Sequence, residues 1–214
     1  MTSGMNIDEA ELLEYGSATL YEASGEPCFL DARFTPAWVG ARVVGRAFPV
    51  LAARGDNLAL HHGIEHAQPG DVLVVDAGGG VHGYWGEVMA VAAQARGIRG
   101  LVIDGGVRDT DQLAKLGFPA FSTGVSIRGT VKEWPGVLGA PITLRGRTVQ
   151  RGDLVVADAD GVAVIPRGIV DSTITASRER SKKETQLMSK LRGGELTLDL
   201  YGFRELGEPI ITDV

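Results

Sequence analysis

The 214 residues are 44% hydrophobic and 22% charged, a globular composition with material for a sizeable core, and the length suits one large domain. A net charge of −6 with no basic run argues against binding along a nucleic-acid backbone, which takes rows of Lys and Arg. Cys28 is the only cysteine, so an intrachain disulfide and a cysteine-rich zinc site are excluded, and no apolar run approaches the roughly 18 residues of a membrane span. With no charged-then-apolar leader at the start, the expectation is a cytoplasmic protein that does not bind membranes.

In chain order, residues 7–22 predict a helix with a glycine interruption, and Val pairs between Arg33 and Val50 predict short strands. Asp56 is placed to cap a helix through "NLALHHGIEHA", which Pro69-Gly70 ends. Val72 to Val75 is a continuous apolar run, the mark of a strand buried on both faces. Val88, Met89, Val91, Ala92 and Ala95 recur at helical spacing and predict a helix over 86–97. Leu101 to Ile103 returns as a strand parallel to the first. "TDQLAKL" then predicts a short helix, and Ala120-Phe121 another strand.

Beyond Gly139 the texture is β. "PITLRG", "DLVVAD" and "VAVIP" are short strands, the last two joined by a turn at Asp160-Gly161. Residues 168–192 predict a long helix, anchored at its start by Ile169, Val170 and Ile174 and at its end by Leu187, Met188 and Leu191. Its middle has no apolar residue, and Glu179 with Lys183 and Arg180 with Glu184 are opposite-charge pairs at i,i+4. Such a helix is either solvated or laid across a neighbouring subunit. No linker is visible, so 1–214 reads as a single α/β domain with a mixed sheet core.

Three stretches carry candidate chemistry. Gly78, Gly80 and Gly83 spell G-x-G-x-x-G after a strand, with Asp104 about twenty residues on, the pattern of a dinucleotide site. Against it, Tyr84 and Trp85 separate the last glycine from the helix, and the chain does not repeat the βαβ halves such a domain needs. "HHGIEH" puts His62 and His66 one helical turn apart, without an H-E-x-x-H pattern or a third ligand, so ordinary helix histidines are the better reading. "VIDGGVRD" ends a parallel strand, where α/β ligands bind. Arg108 there can clamp an anion and Asp109 can offer a hard oxygen to a divalent metal, although Asp109 could equally cap the next helix. The loop ahead of Gly86 should face the same crevice, with the helix N-terminus supplying free amides to a carboxylate.

"GEVMAVAAQARGIRGLVIDGGVRD", with "GDVLVVDA" and "GDLVVADADGVAVIPR", resembles the family of 4-hydroxy-4-methyl-2-oxoglutarate/4-carboxy-4-hydroxy-2-oxoadipate aldolases, which also contains the regulator of ribonuclease activity A. The resemblance runs from about residue 50 to 170. It implies a compact β/β/α swivelling-domain fold, a long C-terminal helix, and trimers or hexamers. It also implies substrate-binding amides at Gly86, Glu87, Val88 and Met89, a pyruvate-binding Arg108 and a metal-binding Asp109. Glu87 stands where the family often has Asp, and Glu184 corresponds loosely to an acidic residue given by a neighbouring subunit. The implied activity is a magnesium- or manganese-dependent, class II type aldolase that cleaves 4-hydroxy-2-oxo di- or tricarboxylic acids to pyruvate and a second keto acid. Oxaloacetate decarboxylation would be a side activity. The alternative is a non-enzymatic regulator of ribonuclease activity that works through protein contacts.

Overall fold

The computed structural model describes residues 8–212. Ile7, the first residue of the predicted helix, lies outside them. The chain opens with α1 (Glu9–Ser24), capped by the Asp8 carboxylate, which accepts the Glu11 amide at 3.2 Å. Gly16, at φ 77°, breaks α1 as expected. The freed end is recapped from afar: Asp158 accepts the Ser17 amide at 2.7 Å and the Ser17 hydroxyl at 2.6 Å.

The first half of the sheet alternates with helices. A two-residue strand, β1 (Thr35–Pro36), precedes β2 (Val43–Leu51), α2 (Leu58–His66), β3 (Asp71–Trp85), α3 (Glu87–Ala95), β4 (Gly100–Val107), α4 (Thr110–Leu116) and β5 (Ala120–Val125). The second half is β6 (Val137–Leu138), the hairpin of β7 (Ile142–Leu144) with β8 (Arg147–Val149), and β9 (Leu154–Ala157) with β10 (Val162–Ile165). Two helices follow, α5 (Val170–Arg192) and the short α6 (Thr197–Leu200).

The main sheet has the order β1-β5-β4-β3-β2-β9-β10, with β6 also on β2. β2, β3, β4 and β5 run parallel, while β9, β10 and β1 are antiparallel to their neighbours. It curls into a half-barrel, the mixed α/β architecture expected. The apolar run of β3 serves both faces. Leu73 and Val75 pack with Leu60, Ala90, Ile103 and Phe118 under α2, α3 and α4, whereas Val72 and Val74 pack with Val102, Val155 and Ile142 under the β7–β8 hairpin. Burying each of these aliphatic side chains contributes roughly 1.5–3 kcal/mol.

Three expectations are corrected. The glycine run is no loop, because β3 continues to Trp85. Glu179 reaches Lys182 at 3.1 Å rather than Lys183, although Arg180 does meet Glu184 at 2.7 Å. The far end of α5 is only partly covered in this chain: Val170, Thr173 and Ser177 near its start are buried, whereas Leu187 and Leu191 are half-buried and Met188 is exposed.

The start of α5 is tied to α1 instead. Arg178 grips Glu11 with two bonds, of 2.5 and 2.6 Å, and the Tyr15 hydroxyl donates to the same carboxylate at 2.7 Å. Arg178 first, then Tyr15, pull the Glu11 carboxyl down from 4.5 to about 2. A depressed acid stabilises the fold fully above its unfolded value and loses that contribution as pH falls through its folded one. The α1–α5 contact should therefore hold at pH 5 and loosen between 4.5 and 2. Hydrogen exchange of α5 across that range should show the loss in the wild type, and Glu11→Gln should loosen α5 already at pH 7. An identical acid profile in the variant would remove the pair from this role.

Candidate active site

The site forms where β3 and β4 part. From Asp76 opposite Asp104 to Trp85 opposite Val107, β3 takes nine steps while β4 takes three, through three register shifts. The surplus residues swing β3 away, and glycine is needed where the strands crowd. A side chain at Gly83 would meet the Ser126 carbonyl at 2.5 Å, and one at Gly106 the His82 carbonyl at 2.5 Å. Gly78 and Gly79 have positive φ, which glycine alone adopts freely. The glycines thus serve a bulged strand, and the dinucleotide reading loses its loop.

Gly86 caps α3 and Asp109 precedes α4, so two helices that follow adjacent parallel strands begin side by side. Asp109 adopts the left-handed conformation at φ 56° and leaves its own helix uncapped. Its Oδ2 instead accepts the Glu87 amide at 3.1 Å and lies 3.7 Å from Arg108 Nε. A side chain at Gly86 would collide with that Oδ2 and with the Arg108 stem. Of the four amides expected for substrate, Glu87's is therefore engaged by the chain itself. Those of Val88 and Met89, in the first turn, have no intrahelical acceptor.

Beside this junction lies a cleft of about 310 Å³, lined by Gly86, Val88, Met89 and Arg108 from the predicted set. Its other wall was not anticipated: Asn57 and His61 from α2, and Lys132 from the chain after β5. Asp56 holds this wall together, accepting the amides of Leu58 at 2.8 Å, Glu133 at 2.7 Å and Trp134 at 2.8 Å. Burial pushes the Asp56 carboxyl up, but the three amides outweigh it and keep it below the usual carboxylate range. The helix cap position itself falls to Asn57. The Asn57 side chain turns inward, donating to the Tyr84 carbonyl at 3.0 Å and leaving its buried Oδ1 without a partner.

Burial and the adjacent Lys132 lower the His61 pKa, which favours a neutral imidazole. The histidine of the cleft is thus His61, whereas His82 is not among the lining residues. Glu87 stands at the first position of α3, with its side chain exposed. Glu184, on α5, pairs with Arg180 and does not line the cleft of its own chain. The second wall was missed because its residues come from separate segments and form no sequence motif.

The chemistry on offer is anion recognition by Arg108, Lys132 and helix amides, next to one hard-oxygen donor. Asp109 suits an oxygen-preferring divalent cation: one carboxylate oxygen is committed to an amide, and Gly86 leaves the room a side chain would fill.

Comparison with known proteins follows the same lines. The Aldolase/RraA (RraA-like) family matches residues 17–164. A protein of Halalkalibacterium halodurans named "Putative 4-hydroxy-4-methyl-2-oxoglutarate aldolase" is 39% identical over 140 residues, 65% of this chain and 67% of its own. Among solved structures, an uncharacterized protein from Pseudomonas syringae superposes with a TM-score of 0.77 at 28% identity, covering 87% of this chain and 89% of that one. The RNA-processing inhibitor RraA from Thermus thermophilis gives 0.64 at 28% identity, covering 70% and 91%.

Gly86→Ala tests the junction. Its backbone is extended and tolerates any residue, so only the collision with Asp109 and Arg108 should matter. Calorimetry with pyruvate should show binding weakened by about tenfold or more, some 1.4 kcal/mol. Gly124→Ala, whose added carbon meets nothing within 4 Å, should bind as the wild type does. Equal binding by both variants would place the anion site elsewhere.

Proposed function

Because the chain belongs to the Aldolase/RraA family, we propose that it is a metal-dependent pyruvate aldolase acting on 4-hydroxy-2-oxo di- or tricarboxylic acids. The observation that carries this reading is the Arg108–Asp109 junction at the mouth of a cleft whose far wall presents a second cation, Lys132. A monocarboxylate would use one cation. Two cationic walls suit a substrate with carboxylates at both ends.

Arg108 and the first-turn amides of α3 bind the C1 carboxylate and the keto oxygen. Magnesium or manganese, when bound at Asp109, supplies Lewis-acid polarisation of that keto oxygen. Glu87, with Glu184 of a neighbouring copy, takes the proton of the C4 hydroxyl through a water. The C4 oxygen then becomes a carbonyl, the C3–C4 bonding pair moves to C3, and a pyruvate enolate results. Protonation at C3 completes pyruvate. Negative charge develops on the keto oxygen as the C3–C4 bond breaks, and the Arg108 fork meets that charge in the transition state more strongly than it meets the neutral carbonyl of the ground state. Oxaloacetate decarboxylation passes through the same enolate.

The role of Glu184 requires assembly, and a trimer or hexamer belongs to this proposal. Exposed Met188, Leu198, Tyr201 and Phe203 along and beyond the end of α5 support it.

Pyruvate release from a panel of 4-hydroxy-2-oxo acids, with and without magnesium, is the deciding experiment. Magnesium-dependent release is expected. Its absence on every substrate would overturn the enzyme reading in favour of a non-enzymatic regulator, in line with the Thermus thermophilis neighbour, which is named an RNA-processing inhibitor. Arg108→Lys should lower kcat by about 10²–10³, because an ammonium cannot replace the bidentate fork. A wild-type kcat would sink this role. Glu87→Gln should slow aldol cleavage more than oxaloacetate decarboxylation, which has no hydroxyl proton to remove. Equal slowing would make Glu87 a positioning residue for the junction.

A further inference from the structure

The "HHGIEH" stretch is the later part of α2, where His61 lines the cleft and His62, Glu65 and His66 lie on the outward side. Three potential metal donors converge there: one ligand atom each from His62, Glu65 and His66 lies within 4.8 Å of the others. Spacing along the sequence pairs only the histidines, and the fold adds the carboxylate. Glu65 Oε2 is 3.6 Å from His62 Nδ1 and 3.7 Å from His66 Nδ1.

The His66 ring is also oriented. Its Nδ1 lies 2.9 Å from the His62 carbonyl oxygen. A carbonyl can only accept, so Nδ1 donates and a neutral ring keeps its lone pair on Nε2. An imidazole N–H held by a backbone carbonyl, with the other nitrogen free, is the outer-shell arrangement that prepares a histidine ligand.

We propose that His62, Glu65 and His66 form a surface site for a late first-row divalent cation of the zinc, nickel or copper class, its remaining position open to water. Two imidazoles and a carboxylate select this class over magnesium, which requires hard oxygens in octahedral array. Zinc ligands lie about 2.0–2.2 Å from the metal, so the donors must draw closer than they stand. All three side chains reach solvent and can rotate to do so.

The site is distinct from Asp109. α2 buries Ala59, Leu60, Gly63 and Ile64 against the core and presents His61 to the cleft, while His62, Glu65 and His66 lie outward. A metal bridging His62 and His66 staples the last turn of α2. Arg96 already holds that turn by donating to the Glu65 carbonyl at 2.9 Å. Occupancy therefore braces the helix that supplies one wall of the cleft.

The test is zinc titration by calorimetry into the full-length, untagged Asp109→Ala protein, in which the cleft donor is gone. One equivalent should bind, and excess magnesium should not compete. Adding His62→Ala and His66→Ala should weaken zinc by about 10- to 100-fold or more, and Glu65→Gln by a smaller factor. Circular dichroism checks that these exposed substitutions leave the fold intact. Absence of zinc binding, or undiminished binding by the folded double-histidine variant, would overturn the proposal. Neither outcome bears on the aldolase reading, which is measured with magnesium and keto acid.

Discussion

The structure turns on a mismatch between two parallel strands. β3 and β4 march in register from Val72 opposite Gly100 to Asp76 opposite Asp104, and then β3 spends nine residues against three. A parallel ladder cannot absorb such a surplus without bulging, and bulges bend the longer strand. The bend is what lets Gly86 arrive beside Asp109 although the two residues follow different strands. Glycine at 83, 86 and 106 is the steric condition for it, because each faces backbone or a charged side chain at less than contact distance. Tyr84 and Trp85 fasten the bent segment. The Tyr84 hydroxyl accepts the Gly55 amide at 2.6 Å, and the Trp85 ring stacks on Phe118 with centroids 5.7 Å apart.

That bend also explains the unusual backbone of Asp109. A left-handed conformation costs an ordinary L residue about 1–2 kcal/mol, less for aspartate. A residue that merely capped α4 would not need it. In this conformation the carboxylate leaves α4 and meets the first amide of α3 instead. One side chain thereby joins the ends of two strand-loop-helix units and fixes the first turn of α3 beside Arg108. Asp104, earlier on β4, is held by two bonds of 2.9 and 2.8 Å from Arg145, which with Asp109 is one of two non-glycine residues with positive φ among the described residues.

The parts legible from sequence were those with a local cause. Val72–Val75 and Leu101–Ile103 announced buried parallel strands through continuous apolarity, and the helix beginning at Glu87 through its spacing. The junction of Arg108 with Asp109 was readable for the same reason: both residues sit at one strand end. Strands β1, β6 and β8 are two or three residues long and carry no periodicity to detect. The glycine fingerprint misled because positive φ and close backbone approach are demanded equally by a phosphate loop and by a bulged strand. Asn57, His61 and Lys132 were invisible, since nothing local says that two segments more than seventy residues apart share a wall.

What joins those segments is Asp56. Its carboxylate binds the first turn of α2 with one oxygen and the 133–134 amides with the other, and Asp56 pairs with Val131 as an isolated bridge. The cleft therefore has two walls, each fixed by an aspartate through backbone amides, buried Asp56 for one and exposed Asp109 for the other. In the aldolase we propose, the pyruvyl end falls to the Asp109 wall, whose parts are backbone amides and a strand-end arginine that leave little freedom to vary. The wall held by Asp56 offers the cleft side chains instead, so on the proposed function substitution at His61 or Lys132 would change which keto acid fits without disturbing the junction. The two walls of the cleft are thus separable in space, and the register mismatch between β3 and β4 secures only the one built on Asp109.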